Sequence, residues 1–172
     1  SQVASRWGNI QDFKNFDLIT PNEREARFAL ADQDSSVNAL TEEIYKKNSY
    51  KNIILKLGSR GLLSCNRTDD DEKNHVGYSL DSFAENVIDP VGSGDALLAF
   101  ATLSFLATKS LLISSIIGSV AAACSCEKDG NSPITLREIE NKLDLIKNKM
   151  NYKKWLKIPE YLEWVFKVTK DT

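Results

Sequence analysis

The run Asn52-Ile-Ile-Leu-Lys-Leu57 constrains this chain most. It is short, dense in aliphatic side chains and followed at once by the turn signal Gly58-Ser-Arg-Gly61, so it reads as a strand. Leu62-Leu-Ser-Cys65 then returns as a second strand, which makes the segment a hairpin. Upstream, Phe16-Asp-Leu-Ile-Thr20 is a short apolar run ending in a turn signal and reads as a buried strand. A helix follows directly. Thr20 can cap it, Pro21 suits its first position, Glu23 stands three residues after the cap, and its body runs to Leu30. A second helix is predicted over Val37–Lys47. Strand–helix alternation with an inserted hairpin predicts an α/β three-layer domain.

The remaining segments fill in that frame. Asn66–Asn74 is polar and acidic and reads as a loop, with strands expected at His75–Leu80 and Phe83–Ile88. A helix opens near Asp95. Another, Leu111–Lys128, is rich in Ala and Ser, whose small side chains allow close packing. Thr135 and Glu138 form a capping box for a helix ending near Met150. Residues 1–150 thus form one unit, and 151–172 an aromatic, lysine-rich appendage broken by Pro159. Its Trp155, Tyr161, Trp164 and Phe166 either pack on their own domain or dock a partner.

Composition narrows the function classes. The 172 residues suffice for one α/β domain or part of a larger one, and 42% apolar with 27% charged residues is ordinary for a globular chain. A net charge of -2 supplies no basic field for nucleic acid or an anionic membrane, so an anionic ligand must be held by local geometry. Cys65, Cys124 and Cys126 form no disulfide framework and fit a reducing cytoplasm. With His75 as the single histidine, neither a zinc site nor a Ser–His–Asp or Cys–His hydrolase is favoured. The apolar stretches Ala96–Ala107 and Leu111–Cys126 are broken by polar residues and read as buried helices rather than a membrane span. The first residues lack an apolar signal core.

Three segments can carry chemistry, and each also has a plain structural reading. In Val91-Gly-Ser-Gly-Asp-Ala96, Gly92 and Gly94 permit a tight turn just before a helix. Unpaired N–H groups and the positive end of the macrodipole there suit a phosphate. Asp95 at that entrance is either a general base for an attacking hydroxyl or a helix cap. The segment is neither a Walker A loop nor a G-x-G-x-x-G fingerprint. Asn22 and Glu25, three apart, share a helix face, where they either organise a hydrated Mg²⁺ or cap the helix. Lys56-Leu-Gly-Ser-Arg-Gly61 is either an ordinary hairpin turn or a nucleotide-lining one, with Lys56 or Arg60 near phosphates.

The order of these three segments resembles the PfkB/ribokinase family of carbohydrate kinases. That family shows P-N-x-x-E after a strand, then L-G-x-x-G, then D-x-x-G-A-G-D opening a helix. Here the motifs stand as Pro21–Glu25, Leu57–Gly61 and Asp89–Asp95, and the likeness covers about residues 16–150. The wording around Phe16–Glu25 is most similar to the kinase domain of ADP-heptose synthase-type proteins. The resemblance implies a ribokinase-like αβα sandwich, incomplete, with only the C-terminal half present. It implies ATP-dependent phosphorylation of a sugar or sugar phosphate. Gly92, Ser93 and Gly94 would form the anion hole, and Asp95 would be the base. Asn22 and Glu25 would organise Mg²⁺, Lys56, Leu57, Gly58, Ser59, Arg60 and Gly61 would line the nucleotide, and the helix around Gly118 to Cys126 would close over the base. Asp89 and Val91 match positions that hold a monovalent cation, K⁺, in some members.

Departures from the pattern are Ser93 for Ala, Phe100 for Gly and Lys56 for Thr. Members are about twice this size, and their N-terminal half carries the sugar site and lid. That half is therefore expected in cis or on another chain, and without it an exposed strand edge and uncovered helices would favour a homodimer. The competing readings are a nucleotide-binding domain without turnover and a partner-docking module. The intact Asp95 favours the kinase.

Overall fold

The computed structural model describes residues 10–47, 50–68, 71–130 and 132–152. Its sheet has four strands in the order β1 (Leu18–Ile19), β2 (Asn52–Lys56), β3 (Leu62–Thr68) and β4 (Asp71–Leu80). β1 and β2 are parallel, while β2–β3 and β3–β4 are antiparallel. The helices are α1 (Glu23–Leu30), α2 (Val37–Lys47), α3 (Ser93–Thr108), α4 (Leu111–Cys126) and α5 (Leu136–Tyr152).

The pleat of β2 explains the layers. Ile53 and Leu55 point to one face, where they join Ala26 of α1 and Leu40, Ile44 and Tyr45 of α2 in one cluster. Ile54 points to the other and packs with Leu97, Ala101 and Leu111 of α3 and α4. All three β2 side chains are fully buried, and each such burial contributes about 1.5–3 kcal/mol. A further cluster joins Val120, Ala121 and Cys124 of α4 to Ile139 and Leu143 of α5. Helices thus cover both faces of the sheet, as an α/β three-layer domain requires.

Several expectations need correction. The N-cap of α1 is Asn22, not Thr20, and Glu25 rather than Glu23 closes the capping box. Thr20 is buried instead. The described part of the polar stretch 66–74 is strand, not loop. Residues 66–68 end β3 and 71–74 open β4, with Arg67 paired to His75, because backbone pairing set by Leu62–Asn66 propagates without apolar side chains. Phe83–Ile88 is not a strand. The Ile88 amide and that of Asp89 just after it donate to Cys126 O, at 2.7 and 3.1 Å, and the Glu85 amide donates to the Glu127 carboxylate at 2.8 Å, so the end of α4 takes bonds a ladder would need. The first strand contracts to two residues, extended by an Asn22–Lys56 bridge.

Other expectations hold in place. α2 spans Val37–Lys47, and Thr135 and Glu138 bond each other at the start of α5. That helix runs to Tyr152, two residues past the proposed boundary at 150. The rest of the appendage, with Trp155, Tyr161, Trp164 and Phe166, lies outside the described residues. The three cysteines are free and buried. No helix among the described residues is long and apolar enough to cross a membrane.

α3 is apolar all round, yet Leu103 and Leu106 are 63% and 61% exposed. A helix without a polar face is ordinarily buried. Among the described residues β1 pairs only with β2, so its other edge carries no neighbour.

Candidate functional site

The parallel strands β1 and β2 end side by side, and the site sits beyond their carboxyl ends. The Lys56 amide donates to Pro21 O at 2.9 Å, which brings the start of α1 against the end of β2. At that start the Asn22 side chain accepts from the Glu25 amide at 2.8 Å. The Glu25 carboxylate accepts from the Asn22 amide at 2.7 Å. The Asn22 side-chain oxygen is thus engaged in the cap, while Glu25 keeps its second carboxylate oxygen available.

After Lys56 the chain makes a 3₁₀ turn over Gly58–Arg60. Gly61 closes it with φ 83° and ψ -127°, and a Cβ there would lie 2.0 Å from Leu80 O. Only glycine fits that position. Arg60 does not reach into the cleft. Its guanidinium pairs with Glu23, which also holds Arg27 at 2.9 Å, so Arg60 ties the turn to α1.

The third wall is the entrance to α3. Gly92 is its N-cap at φ 82°, in the left-handed region that glycine adopts without strain. Asp95 therefore does not cap the helix. It stands at the third helical position, exposed, where a carboxylate is favoured by the macrodipole. The Asp95 and Ala96 amides bond to Gly92 O, while the Ser93 amide makes only a long contact of 3.3 Å to Pro90 O. The Gly92 and Gly94 amides have no acceptor among the described residues. The Ser93 hydroxyl folds back onto Pro90 O at 2.7 Å. Asp89 Oδ1 accepts from the Val91 amide at 2.9 Å, which shapes the loop leading into the helix.

Between these walls lies an open cleft of about 500 Å³. Polar residues such as Asn22, Lys56 and Ser93 line it together with small or apolar ones such as Val87, Leu97 and Ala122. Lys56 is half-buried. Burial pulls its pKa below the ordinary lysine value, against the charges of Glu25 and Asp95, which hold it up. The structure thus gathers Asn22, Glu25, Lys56, the 58–61 turn, 92–94 and Asp95 at one place.

Gly118 is not at the cleft. It is buried between helices, where a Cβ would come within 2.9 Å of Ala101 Cβ and 3.0 Å of Leu97 O. Its neighbours Ser119, Ala122, Ala123 and Cys126 face the cleft instead. Sequence reasoning also missed Ser82, Ala84 and Val87, which line the cleft because 81–89 is a loop. The mixed Ala84-Glu-Asn-Val sequence, without alternation, was the available signal.

The profile of the pfkB family carbohydrate kinases matches residues 3–137, more than half of the chain. This chain belongs to that family. The family likeness extends to solved structures. A ribokinase from Thermotoga maritima superposes with a TM-score of 0.66 at 25% identity, over 79% of this chain and 45% of that one. Phosphofructokinase-2 from Escherichia coli, in complex with potassium, gives 0.66 at 18% identity, over 80% and 43%. A microbiome-derived acarbose kinase gives 0.60 at 18% identity, over 78% and 43%. The chain therefore spans less than half the length of each of these kinases. No curated protein sequence gives a significant match. Their common architecture is the ribokinase-like αβα fold, of which this chain forms one part.

Proposed function

We propose that this chain supplies the nucleotide site, anion hole and base of a sugar kinase that uses ATP to phosphorylate a hydroxyl of a sugar or sugar phosphate. The observation that carries this reading is the cleft beside the entrance of α3. Its apolar lining residues, among them Val87, Leu97 and Ala122, suit a purine. The Gly92 and Gly94 amides stand at the positive end of α3, where a phosphate is stabilised.

Asp95 stands at the mouth of that anion site. Its role is to accept the proton of the sugar hydroxyl as that oxygen bonds to the terminal phosphorus and the bond to ADP breaks. Among the described residues no three His, Cys, Asp or Glu side chains cluster as a metal site. Asn22 and Glu25 would hold a hydrated Mg²⁺ through its waters, Glu25 with the carboxylate oxygen not engaged in the cap. Such an ion would neutralise phosphate charge. Asp89 and Val91 are the proposed monovalent-cation residues, with K⁺ the proposed ion, the ion named in the solved complex of phosphofructokinase-2 from Escherichia coli.

The sugar-gripping half and lid are proposed to lie outside these residues, in cis or in trans, consistent with the shared length. ATP titrated with Mg²⁺ into the folded chain should give binding heat at millimolar nucleotide. No heat from a chain shown to be folded by circular dichroism would refute the nucleotide site. The isolated chain should transfer no phosphate to sugars, because closure and water exclusion need the lid.

A further inference from the structure

Lys56 ends β2 opposite Leu62, and strand pairing gives no reason for a charge there. The pleat puts its side chain on the face of Ile54, which is packed against Leu97 and Ala101 of α3. Two residues further along the strand, Lys56 meets the start of the same helix. Its Nζ stands 3.0 Å from the point that a Cβ on Gly94 would occupy.

This placement is unfavourable in the free protein on two counts. The ammonium is partly withdrawn from water, and it faces the positive end of a helix macrodipole. Glu25 and Asp95 offset part of that cost. An anion lying between the ammonium and the helix amides would turn both unfavourable contacts into favourable ones.

We infer that Lys56 clamps the terminal phosphate of the nucleotide against the Gly92 and Gly94 amides, and that residue 94 is glycine to leave the ammonium its space. The inference rests on the nucleotide site proposed above and assigns a specific contact within it. As a compact point charge with three rotatable donors, the Lys56 ammonium can follow the phosphate as it moves. Glycine at 94 then has a role apart from backbone freedom. Alanine would keep the amide but push the ammonium aside.

Calorimetry with ATP and with AMP on the 172-residue chain, in Mg²⁺ buffer, tests this directly. Lys56→Met should weaken ATP binding by roughly tenfold to a hundredfold, the usual range for a charge-assisted contact. AMP, which lacks the terminal phosphates, should change by less than about threefold by the same reasoning. Gly94→Ala should weaken ATP severalfold in the parent and have no further effect in the Lys56→Met background, which remains informative if one variant folds poorly. Equal ATP affinity in parent and Lys56→Met overturns the clamp alone. Equal weakening of ATP and AMP also overturns it, since that is a general loss of positive potential. A folded parent that binds no ATP refutes the nucleotide site, and the clamp with it.

Discussion

Gly58 and Gly61 bracket the turn that follows β2, and replacing each by alanine separates backbone strain from steric exclusion. Gly58 has φ 63°, and a Cβ added there meets nothing within 4 Å. Gly58→Ala should therefore cost only the left-handed backbone penalty, about 1–2 kcal/mol. For a chain of this size that lowers Tm by about 2–8 °C. Gly61 is different. Its φ of 83° with ψ -127° lies outside even the left-handed helical well, and a Cβ would sit 2.0 Å from Leu80 O and 2.7 Å from Asp81 C. Those atoms are backbone and cannot rotate away. Relief requires either shifting the end of β4, where Leu80 pairs with Leu62, or breaking the 2.8 Å bond from the Leu57 amide to Gly61 O. We expect Gly61→Ala to cost more than about 4 kcal/mol, a loss seen only with a specific structural mechanism. Tm should fall by at least about 8 °C. Ser82, which follows the displaced segment, lines the cleft, so nucleotide affinity should fall as well. Thermal unfolding followed by circular dichroism compares the two variants. If Gly61→Ala unfolds within about two degrees of Gly58→Ala, on the scale expected for sub-kcal differences, the steric reasoning is wrong.

In a kinase completed by the proposed second half, Asp95→Asn should lower turnover at least about a hundredfold while nucleotide affinity holds or rises, because the proposed base is lost but the shape is kept. An unfolded variant with an intact rate per folded molecule would leave Asp95 a purely structural residue. Glu138 is held at a pKa of about 2, below its ordinary 4.5, chiefly by the Lys128 ammonium and then by the Thr135 amide and hydroxyl. The folded state thus binds fewer protons than the unfolded one between those values, so this contribution is present above pH 4.5 and is lost as pH falls toward 2. Acid unfolding of Glu138→Gln should be less steep over that window, and an unchanged profile would contradict the assignment. The exposed Leu103 and Leu106 on an apolar helix, with the open β1 edge, should drive the isolated chain to associate. Light scattering that shows a clean monomer at high concentration would exclude this.

What the sequence determined by itself is what local chemistry encodes. The aliphatic run at 52–57, the Val37–Lys47 periodicity and the Thr135/Glu138 spacing each act over a few residues, so element type and position could be read directly. The order of the Pro21–Glu25, Leu57–Gly61 and Asp89–Asp95 segments likewise sufficed for the family, since motif order is a property of the chain. Tertiary structure decided the rest, because the deciding partners are distant in sequence. Phe83–Ile88 has strand-like composition but lies beside the end of α4, where the Cys126 carbonyl takes the Ile88 amide and the Glu127 carboxylate takes the Glu85 amide. Residues 66–68 and 71–74 have loop-like composition but are carried along by a ladder set elsewhere. The family resemblance implies the helix from Gly118 to Cys126 at the nucleotide; the packing of α3 on α4 claims Gly118 and leaves Ser119, Ala122, Ala123 and Cys126 on the cleft. Arg60 was a free cation in one dimension and is bound to Glu23 in three. Lys56 was ambiguous for the same reason. Only the pleat of β2, laid against the entrance of α3, points its ammonium at Gly94.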